Sequence, residues 1–406
     1  MRENRGIKTK QMVAAVTAAL CALGEAPSLH AYAFNEIVPD VRQSVAASGG
    51  SACPVKSHQL SSLGNIALRW STALNTNPVT LLTQNQTATG QLAEIEQVIT
   101  QSIAVWTGVS GTTLLPMSVA PLTRTAVANA CAADGLNPIC FDQADAAFTP
   151  GVLAFTRVIT ADLVGERLAT VPASTQVGQI LDADIYFSPG NTQVTFATPS
   201  ALPASPRAYD LESLLTHELG HFLGFSHSAI WSAMMYPYAP APGTFNGSRP
   251  SAEQPNASLG DDDRAGLRVS YPDPTDSMHV GSISGRVLPA NPFSLPMSPP
   301  GVTGIFGAHV VAVNSATGAV VAGTLGGWSC APPGPAQFDG SYEIDHLPVG
   351  QSYTVYAEPL DGVVIPAQVT PAIASLCRSP ATDAGWPPLQ ACVVPAANTS
   401  FSTRMR

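Results

Sequence analysis

From His217 to His227 the chain reads His-Glu-Leu-Gly-His-Phe-Leu-Gly-Phe-Ser-His, which is the spacing H-E-x-x-H-x-x-G-x-x-H. Apolar side chains recur at helical intervals up to Leu223, so the first part is predicted to be a buried helix. Residues four apart lie one turn above each other on a helix, so that His217 and His221 can bind one metal ion. Gly224 can adopt a positive φ and turn the chain, which returns His227 as a third ligand. Three nitrogen ligands with a fourth position open to water are typical of a catalytic zinc site.

Glu218 follows the first histidine and points off the metal axis, where it can accept a proton from zinc-bound water. The alternative interpretation is an ordinary helix with polar residues in a core, but the third histidine and the glycine make it hard to sustain. The chain then continues from Ser232 to Pro237 as Ser-Ala-Met-Met-Tyr-Pro. Met235 stands directly before Tyr-Pro in this segment.

These motifs resemble the matrixins, the branch of the metzincins that contains the matrix metalloproteinases. Ser228 follows the third histidine, as in that branch, and Leu259–Leu267 is similar to the start of the matrixin C-terminal helix. The resemblance covers about residues 66–272. It implies an α+β fold with a twisted mixed sheet and three main helices. It also implies one catalytic zinc ion and hydrolysis of peptide bonds with Glu218 as general base. Residues 232–237 correspond to the Met-turn of the metzincins, in which Met235 is expected to form an apolar floor beneath the metal.

The resemblance further implies a substrate cleft. The stretch from Gly151 to Val158 is similar to the strand beside the matrixin cleft, and the segment after the Met-turn is expected to line the pocket beside the zinc together with Leu214. The expected cleft residues are Leu153, Ala154, Tyr236, Pro237 and Tyr238.

The chain departs from matrix metalloproteinases at two of these positions. Phe155 stands where they place a histidine for a second, structural zinc, so only one zinc ion is expected. Tyr238 comes one residue earlier than the tyrosine of their Pro-x-Tyr segment, so its orientation and the pocket depth are open. An apolar residue after the cleaved bond is still the expected preference.

Length and composition predict an exported protein of two or three domains. The chain has 406 residues, of which 45% are hydrophobic and only 11% are charged, with 36 Pro and 33 Gly. This is typical of a loop-rich secreted protein. The net charge of −10 and the absence of a basic stripe argue against a nucleic-acid partner.

The first 33 residues are predicted to be a secretory signal peptide. Basic residues precede a short apolar run from Met12 to Leu23, and Ala31-Tyr32-Ala33 offers a cleavage site. The apolar run is too short to span a bilayer, so no membrane span is expected. The protein is therefore expected to be secreted or periplasmic. Residues 34–65 are predicted to be a short irregular segment, and residues 66–273 form the metalloprotease domain.

A second domain is predicted beyond the linker at residues 274–280. Residues 281–406 show short strands separated by turn signals, which indicates a β-sandwich followed by an irregular tail. The strands resemble the carboxypeptidase regulatory-like, transthyretin-like domain. No catalytic constellation occurs there, and His309 and His346 are expected to be surface or core residues.

Cysteines and aspartates suggest two further features. Six cysteines remain after the signal peptide, which predicts disulfides in an exported chain, and Cys131 is expected to pair with Cys140. Asp182 and Asp184 lie on a predicted strand from Ile180 to Phe187. They are candidates for binding calcium, although a solvated strand face is the favoured interpretation.

The function that the sequence predicts is a secreted zinc endopeptidase acting on protein or peptide substrates. One alternative is an adhesion or binding protein in which the β-sandwich is the functional part. Glu218 argues against it, because a degenerate site has no reason to retain its base. The other alternative is a zinc hydrolase of non-peptide amides or esters, which nothing in the sequence excludes. The oligomeric state, the physiological substrate and the activation route are not specified by the sequence.

Overall fold

A computed structural model of the chain describes the core of the predicted catalytic domain and five strands of the C-terminal half. The described residues are 14–15, 36–37, 66–67, 79–84, 92–114, 117–121, 137–141, 148, 151–160, 180–188, 194–225, 227–228, 230–245, 247, 253–254, 257–289, 304–305, 308–325 and 340–358. Cys131, most of the signal peptide and the C-terminal tail from residue 359 lie outside them, so the Cys131–Cys140 pairing stays a prediction.

Three α-helices and fifteen strands occur within these residues. The first ten strands are β1 (Ala14–Ala15), β2 (Glu36–Ile37), β3 (Ile66–Ala67), β4 (Val79–Gln84), β5 (Met117–Pro121), β6 (Asn137–Cys140), β7 (Ala154–Thr160), β8 (Ile180–Phe187), β9 (Phe196–Ala197) and β10 (Tyr209–Asp210). The helices are α1 (Leu92–Thr107), α2 (Leu211–Phe222) and α3 (Asp261–Ser270). The last strands are β11 (Gly281–Arg286), β12 (His309–Asn314), β13 (Val320–Leu325), β14 (Ser341–Leu347) and β15 (Tyr353–Glu358).

The main sheet has six strands in the order β1-β7-β8-β6-β4-β5. Strands β8, β6, β4 and β5 run parallel, whereas β7 runs antiparallel to β8. The short β1, which falls in the predicted signal peptide, pairs with the outer side of β7 through Ala14 opposite Val158. The mixed sheet and the three helices are those expected of an α+β matrixin domain.

Helix α2 packs against α1 and against strands β7 and β8. The fully buried Trp106 of α1 donates a hydrogen bond from its indole nitrogen to the Thr216 carbonyl, at 2.8 Å. Its ring also contacts Phe225, with centroids 5.3 Å apart. These contacts fix the position of α2, which carries His217 and His221. A buried indole N–H must find an acceptor inside the protein, and Trp106 finds it in the Thr216 carbonyl of α2.

Several strand and helix predictions are confirmed. The expected strand from Ile180 to Phe187 is β8. Apolar side chains also recur at helical spacing between Gly90 and Val109, which predicts an amphipathic helix, and α1 forms there. The strand beside the cleft was expected to begin at Gly151, but β7 begins at Ala154. Gly151 lies in a turn, and the two residues after it have no regular secondary structure.

The stretch from Ile66 to Trp70 predicts a first strand, and Ile66–Ala67 forms β3. This strand pairs with β2 in a two-stranded ribbon outside the main sheet. Strands β4, β5 and β6 build the sheet instead. Inner parallel strands lack the alternation of apolar and polar residues that identifies a half-exposed strand. Pro138 within β6 also argues locally against a strand.

The solvated strand face is also a wrong interpretation. All eight residues of β8 are buried, including Asp182 and Asp184, which are 0% exposed. Arg157 on β7 forms an ion pair with Asp184, and the Tyr186 hydroxyl donates to the same carboxylate. Burial, and secondarily the Asp184 charge, raises the pKa of Tyr186. The two carboxylates therefore lie in the interior between neighbouring strands.

The C-terminal strands form two antiparallel sheets. Strands β11 and β14 make one, and β13-β12-β15 make the other. Helix α3 packs against β13 and β14, so that Val321, Ile344 and Leu347 belong to the same apolar core as Leu219 of α2. His309 is buried and His346 is half-buried, with a positive φ of 58°. Across the part of the chain that the structure describes, none of the helices combines the length and apolarity needed to cross a bilayer.

Candidate metal centre and cleft

The structure brings the three motif histidines together. One potential ligand atom from each of His217, His221 and His227 lies within 4.8 Å of the others. His217 and His221 lie one turn apart on α2, and their ring centroids are 4.8 Å apart. The His227 ring is 5.3 Å from His217 and 4.9 Å from His221. Among the described residues, this is the cluster of three that could hold a metal ion.

Backbone carbonyls orient two of the three rings. The Nδ1 atom of His217 is 2.8 Å from the Met234 carbonyl, and that of His221 is 2.8 Å from the Phe225 carbonyl. A carbonyl can only accept, so each Nδ1 carries the proton and each Nε2 keeps its lone pair. Burial lowers the pKa of His221 to about 3 and lowers that of His227 well below its ordinary value. Neutral imidazoles oriented by second partners are the donors that zinc prefers.

The return of the chain after α2 follows the predicted glycine turn. Gly224 has φ of 100°, a region that side chains disfavour. Its N–H donates to the His221 carbonyl, and the N–H of Phe225 donates to Gly220. The buried Tyr271 hydroxyl donates to the Leu223 carbonyl at 2.9 Å. The end of the helix is therefore held both locally and from the end of α3.

Glu218 lies in the same cleft and is almost completely buried. The Thr156 hydroxyl, on β7, is 2.7 Å from Glu218 Oε2 and 3.0 Å from the Glu218 carbonyl oxygen. Burial raises the pKa of Glu218 to about 8, against the smaller lowering by the Thr156 hydrogen bond. Sequence reasoning missed Thr156, because no local signal connects a strand residue to a helix 62 positions later.

The Met-turn is fixed by one carboxylate at the start of α3. The buried Asp263 side chain accepts from the N–H groups of Met234 at 2.6 Å, Met235 at 3.1 Å and Gly260 at 2.9 Å. Met235 is fully buried. A side chain at Gly220 would collide with the Met235 sulfur and approach the Trp106 ring, so α2 and the Met-turn approach each other closely at this glycine.

The loop between His227 and the Met-turn is anchored through Ser228. Its N–H donates to the Met235 carbonyl at 2.8 Å, and its hydroxyl donates to Asp262 Oδ2 at 2.7 Å. Burial, and secondarily the neighbouring Asp263, raises the pKa of Asp262 well above its ordinary value. The acidic run Asp261–Asp263 occupies the first turn of α3, where negative charge interacts favourably with the helix dipole. The structure shows that two of its carboxylates also hold the loops around the site.

A cleft of about 300 Å³ opens over the histidines. All five cleft residues expected from the sequence line it: Leu153, Ala154, Tyr236, Pro237 and Tyr238. Leu214 lines it as well. Tyr238 is 47% exposed, so it stands at the rim of the pocket. Tyr236 is buried between Trp231 and Tyr238, with ring centroids 4.9 Å and 5.9 Å away.

Comparison with known proteins agrees with this geometry. The family described as Matrixin (Peptidase_M10) matches residues 160–271, which include α2, the Met-turn and α3. Metalloendoproteinase 1-MMP of Arabidopsis thaliana is 36% identical over 99 residues, or 22% of this chain. The match spans about a quarter (24%) of the length of that relative. Both matches support a metalloprotease, and the family match ends at residue 271, before the C-terminal strands begin.

Proposed function

We propose that the chain is an exported, zinc-dependent endopeptidase that hydrolyses peptide bonds. The observation that carries the proposal is the convergence of three imidazoles with the Glu218 carboxylate in one open cleft. The match to the matrixins and to a plant metalloendoproteinase supports the same reaction class.

The residues present fit a zinc ion. His217, His221 and His227 would hold it through nitrogen, because two of the rings have Nδ1 committed to carbonyls and burial keeps His221 and His227 neutral. When bound, the ion lowers the pKa of a water molecule to near ~7 and polarises the scissile carbonyl. The buried Met235 lies next to α2 at Gly220, where its thioether can form the floor of the site.

Glu218 is the general base in this proposal. Thr156 engages Oε2, which leaves Oε1 to take a proton from the attacking water and pass it to the leaving amine. The hydroxyl therefore selects one orientation of the carboxylate before substrate arrives. Pre-orientation of this kind removes a reorganisation step from the reaction.

The substrate would lie extended along β7. Leu153 and Ala154 line the cleft at the start of this strand. A peptide can add to a strand edge through backbone hydrogen bonds, which are indifferent to side chains. Removal of the signal peptide on export would take β1 away and leave β7 as the outer strand. Selectivity for substrate side chains would then depend on Leu214 and on the aromatic rings of Tyr236 and Tyr238, which line the cleft.

The proposal is tested by adding a denatured protein substrate to the purified chain with and without a chelator. We expect cleavage at internal peptide bonds that stops when the metal is removed and returns when zinc is added. Zinc content by elemental analysis should be one ion per chain. If the metal-loaded chain cleaves ester substrates but leaves denatured proteins and peptide libraries intact, the protein is a non-peptide hydrolase and the peptidase proposal is wrong.

Replacement of Thr156 by valine tests the orientation of the base. Valine keeps the β-branched shape but loses the hydroxyl, and a hydrogen bond to a charged group contributes about 1.5–3 kcal/mol. We therefore expect kcat to fall about tenfold to 100-fold, with KM and zinc content unchanged. Thr156→Ser restores the donor and should restore kcat. A Thr156→Val enzyme with wild-type kcat would show that the hydroxyl does not orient Glu218.

A further inference from the structure

The C-terminal strands contact the catalytic half at the loop that carries the third histidine. Strands β13 and β14 lie on α3, whose first turn holds the Met-turn and Ser228. Among the described residues, the cleft lining and the histidine cluster come from the catalytic half alone. The C-terminal strands lie behind the metal site, on the helix that holds its loops.

Asp262 connects the two halves directly. Its Oδ2 accepts from the Ser228 hydroxyl at 2.7 Å, and its Oδ1 accepts from the N–H of Gly323 on β13 at 3.3 Å. Asp262 and Ser228 are 1% and 0% exposed. Ser228 follows His227 in the chain, so one buried carboxylate joins a C-terminal strand to the residue beside the third histidine. Buried hydrogen bonds of this kind are costly to break, because the freed groups have no water to bind.

An apolar contact lies beside this connection. Val320, at the start of β13, packs against Ile230 and Ala233, which belong to the segment between the third histidine and the Met-turn. The N–H of Ile230 donates to the Ser228 hydroxyl oxygen at 3.0 Å. The same short loop is thus held by α3 and β13 through one polar and one apolar contact.

We propose that strand β13 braces the metal site, with Asp262, Gly323 and Val320 acting as positioning residues for the loop that carries His227. The inference rests on the proposed zinc site and assigns the C-terminal half a part in holding it. Groups that support metal ligands typically change metal affinity by about tenfold to 100-fold when removed. Loss of the brace is accordingly expected to speed zinc release while α2 and its two histidines stay in place.

Two substitutions on β13 test the brace from the C-terminal side. Gly323→Pro removes the N–H that Asp262 accepts, and β13 is the outer strand of its sheet, where proline is tolerated. Val320→Ala weakens the apolar contact. The matched control is Val355→Ala on β15, because β15 lies on the other side of β12 from β13. Zinc release from the loaded full chain is followed with a chromophoric chelator, alongside the melting temperature.

We expect Gly323→Pro to release zinc about tenfold faster than wild type, and Val320→Ala to release it faster than Val355→Ala at a similar melting temperature. The visible spectrum of the Co²⁺-loaded chain should change for Gly323→Pro and not for Val355→Ala, since the band reports the ligand geometry. Folded variants of β13 with wild-type zinc release and an unaltered cobalt spectrum would overturn the inference.

A second pair of variants covers the case in which proline unfolds the strand. Asp262→Asn keeps an acceptor for Gly323 and places an amide donor toward the Ser228 oxygen, so zinc release should stay near wild type. Asp262→Leu has neither group and should release zinc about tenfold faster. Equal release rates in both variants would refute the bridging role of Asp262. A wild-type chain that takes up no zinc at all would remove the proposed function, and the inference with it.

Discussion

Glu218→Gln is expected to lower kcat for peptide hydrolysis about 10³-fold, since general acid–base groups contribute about 10²–10⁴-fold. Glutamine has the shape of glutamate but cannot accept the proton of the attacking water. The three histidines are untouched, so zinc content should remain that of the wild type. Measuring kcat, KM and bound zinc on the same preparation separates a lost base from a lost metal.

The control for this variant is Glu212→Gln on the same helix. Glu212 is half-buried in the first turn of α2, and burial raises its pKa as it does for Glu218. It lies outside the cleft lining, so its substitution should change kcat by less than about twofold. Hydrolysis by Glu218→Gln at the rate of Glu212→Gln would mean that another group serves as the base.

Asp263→Ala is expected to lower the free energy of unfolding by about 3 kcal/mol or more. The substitution leaves three N–H groups, of Met234, Met235 and Gly260, without their carboxylate acceptor in the interior. Each unsatisfied buried group costs about 1–3 kcal/mol. For a domain of about 150–250 residues, 3 kcal/mol corresponds to a fall of about 6–12 °C in melting temperature. Thermal unfolding followed by circular dichroism measures the shift.

An aspartate in a more exposed turn provides the comparison. Asp273 accepts from the N–H and the hydroxyl of Thr275 in an exposed turn. Water replaces those hydrogen bonds when the side chain is removed, so Asp273→Ala should cost less than about 1 kcal/mol. Because Asp263 also fixes the Met-turn, Asp263→Ala should weaken zinc retention as well as stability. Similar melting temperatures for the two variants would contradict the anchoring role of Asp263.

The sequence by itself determined the local features of the site. Two histidines four apart must share one face of a helix, and Gly224 supplies the positive φ that turns the chain toward His227. These relations depend only on helix geometry and on the backbone conformation that one glycine can adopt. The spacing of the residues in the sequence is therefore sufficient to predict that the three histidines converge. The same holds for α1 and β8. Their apolar patterns are long enough to predict a helix and a strand without knowledge of the elements that they pack against.

Only the tertiary structure decided which distant groups support that site. Thr156 reaches Glu218 across 62 positions, Asp263 reaches the Met-turn across 28 and 29, and Gly323 reaches Asp262 across 61. The sequence does not indicate which distant group a hydroxyl, a carboxylate or a glycine N–H will hydrogen-bond to. The pairing is set when sheets and helices bury these groups together, because each buried donor or acceptor must then find its partner within the folded chain.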